Sequence, residues 1–365
     1  MLIKRSFAAL LALLPVWAQA QLPAANPLRT LTDVRVDTTV RGLHRRTPLV
    51  GLSIGILRND SLFVYSYGET RRGNGQLPTE NTLFEIGSIS KTFTATLLAD
   101  AVQRKLVRLD DPVSRYLPDS LPPLRKDSVN VTLKMLSNHT AGLTRLPANL
   151  FSPLTDITNP YKHYDRKALY AYLMKPVYLQ TPGLKIEYSN LGVGLLGTLL
   201  ENVTGKTYQQ LLEERITGPL RLTRTAQILN EDQQKAFAQG HSASREPVSR
   251  WDFQSLAGAG GIRSTVTDLI TYLKAEMGIG PAGLVRAMRL TQQPTARQLP
   301  RMVGLGWFWR NESQPWYWHN GGTGGFMSFA AFNPSKKLAV VVLSNAQISV
   351  DTLGIMLLSV AENKL

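Results

Sequence analysis

Phe84-Glu-Ile-Gly-Ser-Ile-Ser-Lys-Thr-Phe-Thr-Ala-Thr-Leu-Leu98 is the stretch around which the chain is organised, because it sets Ser88 and Lys91 three residues apart at the start of a helical pattern. Gly87 and Ser88 are start signals, and Phe93, Leu97, Leu98, Ala101 and Val102 recur at helical spacing, which predicts a helix from about Ser88. Residues three apart share a helix face, so the Lys91 amine falls within reach of the Ser88 hydroxyl. A serine hydroxyl is a poor nucleophile until a neighbour takes its proton, and a helix N-terminus favours the negative charge that develops in acyl transfer. The plain alternative is an N-cap serine followed by a solvated first-turn lysine, and the spacing alone does not separate the two.

Two later stretches add to it. Tyr188-Ser189-Asn190 follows Pro182-Gly183 and precedes an apolar helix with Leu191, Leu195, Leu196, Leu199 and Leu200 on its core face, a turn from which side chains can enter a cleft. Tyr188 is the only tyrosine with asparagine two residues on, as Ser88 is the only serine with lysine three residues on. A phenol works as a base only if its anion is stabilised, and a lysine ammonium beside it would do so by lowering its pKa. His319-Asn320-Gly321-Gly322 ends a strand and precedes Thr323-Gly324-Gly325. Glycines there let a substrate backbone approach and free backbone N–H groups to bind an oxyanion; an ordinary glycine-rich hairpin turn is the competing reading.

Along the chain, residues 21–47 read as a leader followed by a helix that Pro48 ends. Leu49 to Leu57 and Leu62 to Tyr67 read as a hairpin. The hairpin contains Gly51-Leu52-Ser53-Ile54-Gly55, a G-x-S-x-G match, but a nucleophile elbow needs strand, sharp turn and helix, and here the strand runs on. From Asp100 to about Arg250 helical stretches joined by proline-rich connections predict a helical lobe, with Thr132 capping a short helix and His139 supporting the loop after it. Ala257-Gly258-Ala259-Gly260-Gly261 is a tight segment, and Thr265 caps a helix to Lys274. Leu305–Arg310, Trp316–Asn320, Phe326–Phe332 and Leu338–Leu343 read as strands joined by short turns, hence antiparallel. A closing helix carries Val350, Leu353, Leu357 and Val360 on one face. Period-2 alternation puts Tyr317 on the His319 face and Trp316 and Trp318 on the opposite one, toward covering helices.

The expected architecture is therefore α+β: an antiparallel sheet flanked by helices, from about 21–99 and 251–365, with a helical lobe of about 100–250 inserted in one unit spanning 21–365. Residues 1–20 have the build of a cleavable secretory signal, with Lys4 and Arg5, an apolar run from Phe7 to Trp17 and Ala18-Gln19-Ala20 before Gln21. This predicts export to the periplasm or beyond, with the mature chain starting at Gln21. The chain has 365 residues and no cysteine, and its formal charge of +15 falls to +13 when Lys4 and Arg5 leave. Such a charge allows peripheral contact with anionic cell wall or membrane surfaces, but the basic residues are scattered and no nucleic-acid motif is present, so nucleic acid is not an expected partner. The five histidines show no metal-ligand spacing, and no metal or other cofactor is expected.

The order Ser88-x-x-Lys91, Tyr188-x-Asn190 and His319-x-Gly321 on a sheet-helix-sheet plan resembles the serine β-lactamase and penicillin-binding protein superfamily, nearest to class C β-lactamases and related D-alanyl-D-alanine peptidases and esterases. The resemblance runs from about residue 45 to 345 and takes in Phe84–Lys91, Leu136–Leu143, Pro182–Gly194 and Ala257–Asp268. It implies a β-lactamase/DD-peptidase-like fold and a hydrolase in which Ser88 is acylated and Lys91 and Tyr188 share proton transfer. It further implies that Asn190 holds Lys91 and the substrate amide, that His319 and Gly321 line the cleft, and that the N–H groups of Ser88 and Gly322 form the oxyanion hole. Many β-lactamases have Lys-Thr-Gly where this chain has His319-Asn320-Gly321, and that lysine and threonine help hold the β-lactam carboxylate. A histidine is only partly charged at neutral pH, so the substitution argues against efficient β-lactam hydrolysis. Ser66-Tyr67-Gly68-Glu69-Thr70-Arg71 is similar to penicillin-binding proteins with D-alanyl-D-alanine carboxypeptidase and endopeptidase activity. Stem peptides of peptidoglycan, β-lactams and small esters all stay open as substrates; a catalytically idle, cationic wall-binding protein is the alternative of a different class.

Overall fold

The structure, a computed structural model, describes residues 22–151, 155–310 and 315–362; the predicted leader and the start at Gln21 lie outside them. Its centre is an eight-stranded antiparallel sheet. The strands are β1 (Gly51–Arg58), β2 (Ser61–Gly68), β3 (Ala296–Gln298), β4 (Arg301–Val303), β5 (Phe308–Trp309), β6 (Tyr317–Gly322), β7 (Met327–Asn333) and β8 (Leu338–Ser344). They lie in the order β2-β1-β8-β7-β6-β5-β4-β3, so the N-terminal hairpin adds to strands from the C-terminal part of the chain. Ser53 sits mid-strand opposite Ser66 and Leu343, fully buried, which removes it as an elbow nucleophile.

Both faces of the sheet are covered, which is why β1 and β8 are apolar almost throughout. On one face lie α1 (Leu31–Arg46) and the closing helix, here α7 (Asp351–Ala361). Thr30 and Asp33 form a capping box at the start of α1, and the Tyr65 hydroxyl donates to Asp33 Oδ1 at 2.8 Å, fastening the helix to β2. Leu52, Ile54, Ile56, Trp316, Val340, Val342, Leu353 and Leu357 form the core on that side. The other face carries α2 (Ser90–Gln103), the short α3 (Leu133–Ser137), α4 (Asn190–Thr204), α5 (Val266–Glu276) and α6 (Ala282–Gln292), packed around a larger core. Helix α5 approaches β1 at Gly55, where a Cβ would come within 2.8 Å of Val266. As predicted, Tyr317 joins the larger core and Trp316 the smaller one beneath α7; Trp318, on the Trp316 face, is only partly buried and also lines the cleft around Ser88.

Thr132 and Thr265 cap their helices as expected, each accepting from an N–H three residues on. The span 100–250 is less helical than expected: Arg166–Leu173, α4, Tyr208–Leu212 and a few shorter turns alternate with long irregular stretches. Helix α6 and strands β3 and β4 went unread in the sequence. The expected strand Leu305–Arg310 shrinks to β5 because Gly306 lies against α2, where a Cβ would come within 2.9 Å of Ala95 and 3.2 Å of the Lys91 carbonyl oxygen. No helix among the described residues is long and apolar enough to cross a membrane.

Beneath α2 lies a buried acid. Glu276, on α5, accepts from Gln292 Nε2 at 2.7 Å, while its second oxygen is buried without a partner. Burial raises its pKa to about 7. The folded chain therefore holds a proton that the unfolded chain has released, and stability falls as pH rises from the ordinary carboxyl range to about 7. Glu276→Gln keeps the shape and removes the charge, so it is expected to stabilise more at pH 8 than at pH 5. At roughly 1.4 kcal/mol per pKa unit the differential is about 3 kcal/mol. Urea unfolding at the two pH values checks this, and equal effects at both would contradict it.

Candidate active site

Ser88 occupies a single 3-10 turn, Gly87–Ile89, and the α-helix proper starts at Ser90, about half a turn later than the periodicity indicates. This turn is wedged against the end of β6. Gly87 has φ +49°, and a Cβ on it would meet the Gly322 nitrogen at 2.6 Å; one on Gly321 would meet the Ile86 carbonyl oxygen at 2.1 Å and the Ser88 nitrogen at 2.9 Å. Only glycine fits at either place. The Ser328 hydroxyl donates to the Ile86 carbonyl at 2.9 Å and pins the turn from the neighbouring strand. The backbones of Ser88 and Gly322 are thereby packed close to each other.

Lys91 Nζ is 3.0 Å from Ser88 Oγ and donates to the Ala259 carbonyl at 2.5 Å. That carbonyl belongs to the glycine-rich turn Ala257–Gly260, held between α2 and α4: Thr94 Oγ1 donates to Gly258 O at 2.7 Å, and a Cβ on Gly258 would come within 3.2 Å of Gly197 Cα. Lys91 is only 1% exposed. Burial, then the nearby Arg145 charge, pushes its pKa well below the ordinary lysine value, so its amine is poised to be neutral. Its Nζ also lies 4.8 Å from the centre of the Tyr188 ring.

Tyr188 departs from the expected electrostatics. Its phenol is buried and its pKa is raised by that burial, with the hydrogen bond to Ser88 and the Arg145 charge pulling the other way. The phenol's own burial disfavours the tyrosinate that an adjacent ammonium was expected to create. The resting site thus pairs an amine with a neutral phenol on either side of Ser88.

The turn bearing Tyr188 is fixed from several sides. Ser189 caps α4, its Oγ accepting from Gly192 N–H at 2.8 Å and donating to Thr144 O at 2.7 Å. His139 Nδ1 accepts from Ser189 N–H at 3.2 Å, and its ring lies 4.5 Å from that of Tyr188, which gives His139 the supporting place expected of it. Burial holds its pKa well below the usual range, consistent with a ring that must keep a lone pair on Nδ1. Asn190 lines the cleft, and its Oδ1 is buried without a partner. The second acceptor for Lys91 is the Ala259 carbonyl, where an asparagine contact was expected.

His319 corrects another expectation. It is 0% exposed and does not line the cleft, which Asn320, Gly321 and Gly322 do. The strand turns its ring inward against Phe308 (5.4 Å) and Tyr188 (6.3 Å). Nδ1 bonds the Asn320 carbonyl oxygen at 2.6 Å, and desolvation lowers the pKa to about 3, leaving a neutral imidazole. Asn320 reaches the cleft in its place, its amide donating to Asp351 Oδ2 at 2.8 Å.

The cleft above Ser88 has a volume of about 630 Å³. Tyr161 and Trp251, with rings 5.3 Å apart, and Phe308 and Trp318, 5.7 Å apart, supply aromatic walls. The family described as Beta-lactamase matches residues 36–358. The chain belongs to the beta-lactamase family. A beta-lactamase of Pseudomonas fluorescens is 32% identical over 361 residues, covering 86% of this chain and 94% of the relative. Among solved structures, D-alanine carboxypeptidase AmpC from Burkholderia cenocepacia has a TM-score of 0.80 at 26% identity, covering 91% of this chain and 99% of that one. A class C beta-lactamase is similar to the same degree, with a TM-score of 0.80 at 28% identity and coverage of 92% and 98%. This beta-lactamase-family chain is a class C-like serine hydrolase with the β-lactamase/DD-peptidase fold.

Several residues of this hydrolase's cleft were not singled out from sequence. Arg145, Arg301, Tyr161 and Trp251 line it, and Ala259 contributes only a backbone carbonyl. Trp251 is placed by a buried pair: its N–H donates to Glu85 Oε1 at 2.7 Å, and the Arg263 guanidinium, which bonds its carbonyl, lies 3.8 Å from the same carboxylate oxygen. Glu85 and Arg263 sit in single short strands paired to each other, with no pattern that marks them.

Proposed function

We propose that this serine hydrolase is an exported acyl hydrolase of D-alanyl-D-alanine carboxypeptidase/endopeptidase type, acting on peptidoglycan stem peptides through an acyl-enzyme at Ser88. The observation that carries the reading is the 3.0 Å contact between Ser88 Oγ and a buried Lys91 amine whose pKa is pushed down. In the proposed cycle Ser88 Oγ attacks the scissile carbonyl and its proton passes to Lys91 Nζ. The oxyanion faces the N–H groups of Ser88 and Gly322. Tyr188, a neutral phenol, donates its proton to the departing amine and recovers one from Lys91; water then cleaves the ester. Asn190 orients the substrate amide, while Gly321 lets its backbone lie alongside β6. His319, behind Tyr188, acts on the substrate only through that ring. In this reading residues 21–365 form one catalytic unit and residues 1–20 direct export, and the high net charge supports peripheral contact with anionic wall polymers.

Peptidase action is preferred over β-lactam hydrolysis because the third motif lacks the lysine–threonine pair of many β-lactamases, His319 being neutral and buried, and a D-alanine carboxypeptidase is among the similar solved structures. The beta-lactamase names of sequence relatives favour the second reading, hydrolysis of β-lactams. Turnover of a D-alanyl-D-alanine peptide, a cephalosporin and a short-chain ester by one preparation separates them. The peptide is expected to have the highest kcat/KM, and faster cephalosporin turnover would reverse the preference.

A further inference from the structure

The cleft around Ser88 is lined by two arginines, Arg145 and Arg301, and by no aspartate or glutamate. Neither guanidinium is paired with a carboxylate among the described residues. Asp351 stands behind Asn320, which it binds, and Glu85 behind Trp251; neither is part of the lining. A cleft with two unpaired guanidiniums and no acid favours an anion, and the flat fork of arginine matches a carboxylate with two parallel hydrogen bonds.

Both arginines are carried on fastened backbone. The Arg145 carbonyl accepts from the N–H groups of Asn190 (2.9 Å) and Leu191 (3.2 Å), tying its loop to the start of α4, and its guanidinium stands 4.9 Å from the centre of the Tyr188 ring. Arg301 opens β4 opposite Gln298 on β3, and Gln298 Oε1 accepts from Ile186 N–H at 2.8 Å, two residues before Tyr188. Arg301 thus stands on the same sheet as the third motif, two strands outward from β6. His319, neutral and turned inward, leaves these two side chains as the only cations in the described lining.

We propose that Arg145 and Arg301 are the anion-recognition residues of this cleft and select acyl donors that carry a carboxylate near the reacting carbonyl. The inference rests on Ser88 being the acylated nucleophile. Arg301, one strand in from the sheet edge, acts on affinity alone. Arg145 does so too and also bears on proton transfer, because it stands over Tyr188 and its charge reaches Lys91.

Boronic acids test this without turnover. Ser88 Oγ donates an electron pair to boron, its proton passes to Lys91 Nζ, and a tetrahedral adduct forms with no leaving group. Phenylboronic acid and 3-carboxyphenylboronic acid differ only in the anion, and binding of each is read from the fluorescence of Trp251 and Trp318 in the cleft wall. Wild type is expected to bind the carboxylated probe at least about tenfold tighter, as one charge-assisted bidentate contact warrants. Arg301→Gln and Arg145→Gln each reduce that advantage, and the double variant abolishes it. In Arg145→Gln the pH dependence of phenylboronic acid binding also moves upward, because Lys91 loses a repelling charge, while in Arg301→Gln it does not. Equal binding of both probes by wild type, or an advantage that survives in the double variant, overturns the proposal. Failure of both probes to bind wild type removes the Ser88 reading itself, and this inference with it.

Discussion

Turnover falls at least about a hundredfold in Lys91→Ala and by a comparable factor in Tyr188→Phe, the loss expected for a positioned proton-transfer group. That factor corresponds to about 2.7 kcal/mol of transition-state stabilisation. The two variants differ in pH dependence. Lys91 acts as a neutral amine, and burial keeps its pKa well below that of a free lysine, so the wild-type rate rises as pH climbs through this lowered value and collapses below it. Lys91→Ala loses that acidic limb together with the rate. Tyr188→Phe keeps it, because burial holds the phenol protonated across the working range and its role is to pass a proton on. Near-normal rates in both variants would remove the pair from the mechanism. Retention of the acidic limb in Lys91→Ala would assign the base elsewhere.

The main features of the catalytic centre were legible because short-range spacing dictates them. Ser88 and Lys91 meet at 3.0 Å because three residues of helical chain bring them together, and Tyr188 enters from the turn before an apolar helix whose cap, Ser189, is also local. The antiparallel sheet followed from alternation and short turns in the same way. What failed to show in the sequence depends on burial and distant partners. The inward turn of His319 is the clearest case: alternation placed it correctly on the Tyr317 face but could not tell that Tyr188, Phe308 and the strand end would cover it. The proton on Tyr188 was illegible for the same reason, since burial of the phenol itself outweighs the hydrogen bond to Ser88 and the Arg145 charge. Ala259 enters through a main-chain carbonyl, which no side-chain motif announces, and Arg301 arrives on a three-residue strand too short to register as a pattern.

Penicillin is expected to add covalently to the wild-type protein, to leave Ser88→Ala unmodified, and to remain attached. The first two outcomes identify the nucleophile; the third decides what kind of hydrolase it serves. Rapid clearance of a penicilloyl ester needs a water molecule with a base beside it. Tyr188 is a poor base for that water, since its buried phenol keeps its proton. Lys91 is the better base, but its Nζ is enclosed between Ser88 Oγ and the Ala259 carbonyl, on the side where the bulky acyl group is attached. The arginines of the cleft hold a carboxylate, which helps the adduct form without bringing water to it. At ordinary enzymatic rates, on the order of 1 to 10³ per second, a dedicated lactamase would clear the adduct before an intact-mass spectrum could be taken. Here the adduct is expected to persist through the measurement and to block turnover of a D-alanyl-D-alanine peptide for as long as it lasts. Fast penicillin hydrolysis with no accumulated adduct would make this chain a lactamase in practice, and an adduct that forms equally on Ser88→Ala would move the nucleophile elsewhere.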